Sequence, residues 1–299
     1  SRVSGNIGVA IATSGPGATN LITGICCSYY DSVPLLIITG QVSTFRMSGD
    51  TGVRQIGFQE TPITAITKEI TKYSTTLKEA NDIRYELEKA FFIATEGRPG
   101  PVLIDIPDNL QRAIVDEDKL IAFQKKNNMV KNIFPSSNEC ISEIISSINK
   151  ANRPVVIAGW GIHLSKTEEE FIEFINIFQL PVALTWGASD LIESDNKLYI
   201  GTFGTHGMRH ANFAVQNADL IISLGSRLDT KSTGSPITTF AREAKKIMID
   251  IDPSELSKFK SLGLSFQILV QDDLRGFFKS LKNTNNSFEK NRLSEVWIE

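Results

Sequence analysis

The sequence predicts an α/β protein of two parallel-sheet domains. Three observations carry this. Strand-sized apolar runs alternate with segments of helical periodicity, glycines punctuate the ends of those runs, and a polar, Lys- and Asn-rich stretch separates two such series. The length of 299 residues suits two domains of roughly 100–200 residues each.

Taken in order, Ile7–Thr13 (IGVAIAT) is a near-continuous apolar run, as in a strand covered on both faces. Ala18–Tyr30 follows as a helix in which Cys26 and Cys27 are expected to pack as small hydrophobes. Leu35–Thr39 (LLIIT) is the next buried strand. Asn81–Thr95 places Ile83, Leu87, Ala90, Phe91 and Ala94 at helical spacing, and Gly97-Arg98-Pro99-Gly100-Pro101 ends that helix. Val102–Ile106 (VLIDI) is a further strand. The first domain is therefore expected over residues 1–115 and a linker over 116–136, with Pro135-Ser136-Ser137 opening the second domain.

The second domain, expected over residues 137–281, repeats the alternation. Asn138–Ala151 carries Ile141, Ile144, Ile145 and Ile148 on one helical face. Strands are expected at Pro154–Ala158, Pro181–Thr185, Leu220–Leu224, Lys246–Ile251 and Phe266–Val270, with helices at Glu168–Phe178 and His210–Ala218. The polar tail, residues 282–299, is expected to be an exit linker.

Composition excludes several function classes. A net charge of −3 gives no global basic field for nucleic acid. The longest apolar runs, such as Val33–Ile38, fall far short of the roughly 18 residues a membrane helix needs, and no signal peptide is visible. Three cysteines, an odd and low count, argue against a disulfide framework and suit a cytoplasmic location. With three histidines and no clustered cysteines, a catalytic zinc site is not expected. The chain starts at Ser1 inside what reads as structure, so it is expected to be part of a longer protein.

Chemistry concentrates at strand ends. Gly15-Pro16-Gly17 joins a strand to a helix and reads two ways: an anion site at a helix N-terminus, or a tight corner. It lacks the P-loop Lys and the full G-x-G-x-x-G spacing, and Pro16 removes a donor. Phe58-Gln59-Glu60-Thr61-Pro62 follows a long loop, Ser43–Gly57, that carries Arg46 and Arg54; such a loop is either functional or a mobile surface excursion. In the second domain Gly159-Trp160-Gly161, Thr185-Trp186-Gly187, Gly204-Thr205-His206-Gly207, Gly225-Ser226-Arg227 and Asp250-Ile251-Asp252 end strands. Small residues admit a ligand, Arg227 suits a pyrophosphate and Asp250 suits ribose hydroxyls, so the set favours a nucleotide.

At IATSGPGATNLITG, DSVPLLIITGQV, GFQETPI and EGRPGPVLIDIP, and again at RPVVIAGWGI, GTHGMRHAN, DLIISLGSRLD and IDIDPSEL, the sequence resembles the thiamine-diphosphate-dependent enzymes of the acetolactate synthase large-subunit type. The resemblance covers nearly the whole chain. It implies a truncated aminopyrimidine-binding domain followed by a Rossmann-like central domain that can bind FAD. A third domain, for diphosphate and Mg²⁺, would lie beyond the chain, and the catalytic Glu would lie upstream of Ser1, so the piece alone is expected to be inactive. By resemblance, Gln59 faces cofactor and substrate with Phe58 as its apolar neighbour, and Gly15 shapes the corner beside them. Arg98, Gly159, Trp160, Gly161, Thr185, Trp186, Gly204, Thr205, His206, Gly207, Gly225, Ser226, Arg227, Asp250, Ile251 and Asp272 match FAD contacts.

There are departures. The Ser43–Gly57 loop is longer than usual, and Asp108 stands where a Lys is usual. Lys231 stands where an Arg holds the acceptor's carboxylate, keeping the charge without the bidentate geometry. Trp160 is bulky for a glycine loop, which makes an ADP-like ligand, or none, the alternatives to FAD. The implied reaction is decarboxylation of pyruvate and transfer of the two-carbon unit to a 2-keto acid, as in branched-chain amino-acid synthesis. The alternatives are transfer to another acceptor such as a keto sugar nucleotide, or a non-catalytic nucleotide-binding module. Implied partners are 2-keto acids, a second copy in a homodimer or tetramer, and the regulatory small subunit that such enzymes can have.

Overall fold

The computed structural model describes residues 1–125, 134–284 and 297. Residues 126–133, within the expected linker, and most of the expected exit tail lie outside them. The chain divides into two compact units, Ser1–Met129 and Val130–Glu299.

The first unit holds strands β1 (Gly8–Ala12), β2 (Leu35–Gln41), β3 (Tyr73–Thr76) and β4 (Pro101–Pro107) in the order β1-β2-β4-β3. All pairings are parallel. Helices are α1 (Pro16–Thr19), α2 (Ile22–Tyr30), α3 (Ile63–Thr67), α4 (Ile83–Thr95) and α5 (Asp108–Gln111). Alternate strand residues feed two cores. Ile37 and Leu103 pack with Ala18, Ile25 and Ile63 on one face. Leu36, Val102 and Ile104 pack with Ala90 and Ala94 on the other.

Several expectations need correction here. The β1 strand is an edge strand, not one covered on both faces: Val9 is 58% and Ile11 75% exposed. The helix expected over 18–30 is two, broken at Asn20-Leu21. On α2 the buried residues are Ile25 and Ser28, whereas Cys27 is exposed, so Cys27 does not pack as expected. Phe91 is half exposed on α4 because the buried positions narrow to Ala90 and Ala94, where the helix lies close on the sheet.

The second unit carries β5 (Pro154–Ala158), β6 (Val182–Leu184), β7 (Tyr199–Thr202), β8 (Leu220–Leu224), β9 (Lys245–Asp250) and β10 (Ile268–Gln271), in the order β10-β9-β8-β5-β6-β7 and all parallel. Counted within the unit, this is the doubly wound dinucleotide-fold order, reversing between β5 and β8. Helices α6 (Asn138–Lys150), α7 (Gly161–Ser165), α8 (Glu168–Phe178) and α12 (Leu274–Asn283) cover one face. Helices α9 (Arg209–Asn217) and α11 (Pro253–Leu262) cover the other, and α10 (Thr230–Thr233) lies after β8.

The α6 stripe is buried as its spacing requires, with Ile141, Ile144 and Ile148 at 0% exposure. At about 1.5–3 kcal/mol per buried aliphatic side chain, that stripe fixes the helix on the sheet, and the Ser137 side chain caps it by accepting from the Cys140 N–H. Helix α12 runs to Asn283, past the point where the exit linker was expected to begin.

Candidate functional site

In the first unit, the carboxyl ends of β1, β2 and β4 open onto a cavity of about 620 Å³. Its lining mixes apolar walls (Ile11, Ile38, Val42, Phe58) with polar groups (Ser14, Ser43, Arg46, Asp108, Gln111). A buried network underlies it. Asp105, at 0% exposure, accepts from Thr39 Oγ1 at 2.6 Å and Gln41 Nε2 at 2.9 Å. Gln41 Nε2 also reaches the Thr61 carbonyl at 2.8 Å, which ties the segment after Gln59 to β2. Burial pushes the Asp105 carboxyl up, although its three hydrogen-bond donors pull it down.

Gly15 and Gln59 meet beside this cavity, next to its lining residues Ser14 and Phe58. Gly15 has φ +62°, and a Cβ there would sit 2.8 Å from Gln59 Cβ. Gln59 itself has φ +64°. The corner glycine is thus required both by its backbone and by the arriving glutamine. Gly17 is tight against Thr13. Phe58 is 85% exposed and lines the cavity. Asp108 accepts from Ser43 Oγ at 3.2 Å and pairs with Arg112.

The Ser43–Gly57 loop is folded rather than a free excursion. Glu60 Oε1 accepts from Ser48 N at 2.5 Å and Ser48 Oγ at 2.6 Å, and Oε2 accepts from Ile56 N at 2.9 Å. These bonds hold the Glu60 carboxyl below its ordinary range, against the opposing effect of burial. Sequence reasoning did not single out Glu60, since a Glu beside a loop has no local signature.

In the second unit the residues expected to contact a nucleotide fall at the carboxyl ends of strands. Gly159-Trp160-Gly161 follows β5, Thr185-Trp186 follows β6 and Gly204–Gly207 follows β7. Gly225–Arg227 follows β8, Asp250-Ile251 ends β9 and Asp272 follows β10. Local bonds join them into one rim. Gly161 N donates to Gly225 O at 3.0 Å, Thr185 N to Ala158 O at 3.0 Å, Thr205 N to Lys231 O at 2.7 Å and Asp272 N to Asp250 O at 3.2 Å. Trp186 stacks on His206 with centroids 5.0 Å apart.

The glycines at the switch point serve loop packing. A Cβ on Gly159 would lie 2.3 Å from Gly225 O, and one on Gly161 would lie 2.6 Å from Gly225 Cα. They join the two loops to each other and do not frame an open cradle for a ligand. The rim still fits a dinucleotide by its place at the strand-order reversal. Arg227 pairs with Asp229, which also caps α10 by accepting from Lys231 N and Ser232 N. Lys231 is exposed on α10.

Two further rim residues escaped the sequence reading. Asn212 clamps Gly204 by donating to its carbonyl and accepting from its N–H. His163 meets Glu168 Oε1 at 2.8 Å and Asp190 Oδ1 at 3.0 Å, with its ring 4.6 Å from that of Trp160. Arg98 belongs to the first unit and donates from Nε to Ser32 Oγ at 2.7 Å.

Among the described residues no group of three or more His, Cys, Asp or Glu is placed to hold a metal ion. No described helix is long and apolar enough to cross a membrane. In the first unit the mixed apolar and hydrogen-bonding lining has the chemistry an aminopyrimidine ring needs, and the cavity has room for it.

Residues 141–274 match the family model of the thiamine pyrophosphate enzyme central domain, and residues 1–66 match that of the N-terminal TPP binding domain. The chain is 38% identical over 282 residues to a chloroplastic acetolactate synthase of Arabidopsis thaliana, covering 94% of this chain and 41% of the relative. It is 35% identical over 299 residues to the acetolactate synthase large subunit of Cyanidium caldarium, covering 99% and 50%. It is also 35% identical over 288 residues to the acetolactate synthase isozyme 2 large subunit of Escherichia coli (strain K12), covering 96% and 50%. The chain thus spans about half the length of these curated relatives.

Proposed function

Because this chain belongs to the thiamine pyrophosphate enzymes, we propose that the whole protein decarboxylates pyruvate and transfers the resulting two-carbon unit to an acceptor carbonyl, a 2-keto acid first of all. The observation that carries the reading is the meeting of Gly15 and Gln59 beside a mixed cavity that their neighbours Ser14 and Phe58 line, in a chain 35–38% identical to acetolactate synthases. Thiamine diphosphate, once bound, supplies the carbanion chemistry. The chain's own residues form the wall against which it works. Gln59 offers both a donor and an acceptor beside the cavity, Phe58 keeps that wall apolar, and Arg46 provides the cation facing the acceptor.

On this reading residues 1–115 belong to the aminopyrimidine-binding domain and residues 137–281 to a central nucleotide-binding domain, whose rim holds FAD or an ADP-like ligand. Lys231 serves the acceptor, and Mg²⁺ is bound by chain outside these residues. The working protein is a homodimer or tetramer in the cytoplasm, consistent with the low cysteine count, and a regulatory small subunit is among its partners.

One observation favours a second acceptor class. The loop lining the cavity is folded and brings Arg46 and Phe58 to it, and Lys231 lacks the fork that reads a small carboxylate. This suits a larger anionic acceptor such as a keto sugar nucleotide. The test is to assay the full-length protein with thiamine diphosphate, Mg²⁺ and pyruvate, first alone and then with a nucleotide-linked keto sugar added. Efficient acetolactate formation supports the 2-keto acid. Decarboxylation followed by transfer only to a nucleotide-linked keto sugar supports the second acceptor, and no decarboxylation contradicts both. Absence of flavin absorbance after incubation with FAD removes the flavin.

A further inference from the structure

Two points close the Ser43–Gly57 loop. At one, Gly57 packs so tightly that a Cβ would lie 2.9 Å from Val42 and 3.0 Å from Arg46 O. At the other, a single carboxylate gathers both limbs: Ser48 gives its N–H and hydroxyl to Glu60 Oε1, and Ile56 gives its N–H to Oε2. Gln55 Nε2 adds a bond to the Glu60 carbonyl at 3.2 Å, and the Glu60 N–H reaches Gly57 O at 3.1 Å. Among the described residues no Lys or Arg lies within ion-pair distance of this carboxylate, so its charge is spent on the loop backbone and one hydroxyl. The same loop supplies Arg46, and its end supplies Gly57 and Phe58, to the cavity wall.

We propose that Glu60 is a positioning residue: its carboxylate latches the loop in one arrangement, and that latch sets the Arg46–Gly57–Phe58 wall against which the acceptor substrate docks. The acceptor assignment rests on the two-carbon transfer proposed above. The latch rests on the hydrogen bonds alone. A Gln at position 60 keeps the shape but replaces one acceptor oxygen with an NH₂ group facing an N–H, so it breaks at least one charge-assisted bond and sets two donors against each other.

The test compares full-length wild type with Glu60→Gln and Ser48→Ala. Trypsin cleavage after Arg54, followed by mass spectrometry, reads the latch directly. Cleavage is expected to accelerate about 10-fold in Glu60→Gln and less in Ser48→Ala, with the double variant no faster than Glu60→Gln because both act on one latch. In kinetics, KM for an added acceptor other than pyruvate rises about 10-fold in Glu60→Gln, while single-turnover CO₂ release from pyruvate, before any acceptor is consumed, keeps its rate. Unchanged cleavage in both variants overturns the latch. An equal loss of decarboxylation overturns the acceptor-side assignment. Should the wild type turn over no 2-keto acid, the reaction reading fails, and the cleavage rates still decide the latch by the same criterion. Should Glu60→Gln fail to fold, Ser48→Ala carries the test: faster cleavage and a raised acceptor KM support the proposal, and wild-type values overturn it.

Discussion

Gly15 and Gln59 both occupy left-handed backbone, at φ +62° and +64°, and each explains the other. A Cβ at Gly15 collides with Gln59, so Gly15→Ala has to displace the side chain assigned to the reaction while also straining its own backbone. A loss of about 1–3 kcal/mol is expected, read by denaturant unfolding, with a drop in activity larger than stability alone accounts for. Lys72 gives a pH-dependent prediction. Burial pushes its ammonium down to about 8, outweighing the charge of Glu96, while Nζ donates to the Glu96 carbonyl at 2.6 Å. Its ordinary value is 10.5, so between pH 8 and 10.5 the unfolded chain binds more protons than the folded one at this site. Stability from this group therefore rises with pH across that window. Lys72→Met is expected to flatten that rise in unfolding measured from pH 7.5 to 10.5; an unchanged slope contradicts it.

At the scale of elements, the alternation of strand and helix was legible wherever burial was complete. The Leu220–Leu224 run became β8 with its stated bounds, and the isoleucine stripe of α6 lies where its spacing put it. What the sequence hid follows from its chemistry. Strand β3 (YSTT) is half-buried and polar, and β7 (YIGT) is short with a glycine at φ +100°. Neither shows an apolar run. Helix α12 carries Leu274, Phe277, Phe278 and Leu281 at helical spacing behind an Asp273 cap, but the polar tail beyond it masked that pattern. The strand-end glycines were visible; their purpose was not, because loop-to-loop contact between Gly159 and Gly225 is long-range. Gly159→Ala drives a Cβ to 2.3 Å from a carbonyl oxygen. It is expected to cost about 1–3 kcal/mol by overpacking and to weaken nucleotide binding in the second unit. Wild-type stability and binding in that variant would contradict the packing role.

Over the whole chain, both units place most of their candidate residues at the carboxyl ends of parallel strands, the side on which ligands bind open α/β sheets, whereas Arg98 lies before the amino end of β4 and Lys231 on α10. The Gln59 corner and the strand-end rim of the second unit could be read from strand ends and glycines. Glu60, Asn212 and His163 could not, since each acts through partners that only folding brings together. The central claim is that the cavity beside Gln59 serves thiamine-diphosphate chemistry on pyruvate. It is tested most directly by CO₂ release from carboxyl-labelled pyruvate by the full-length protein, with and without thiamine diphosphate and Mg²⁺, in wild type and Gln59→Ala. The account predicts release that requires thiamine diphosphate and falls about 10-fold or more in Gln59→Ala, on the scale of one lost active-site interaction. Release independent of thiamine diphosphate, or unaffected by Gln59→Ala, would contradict it.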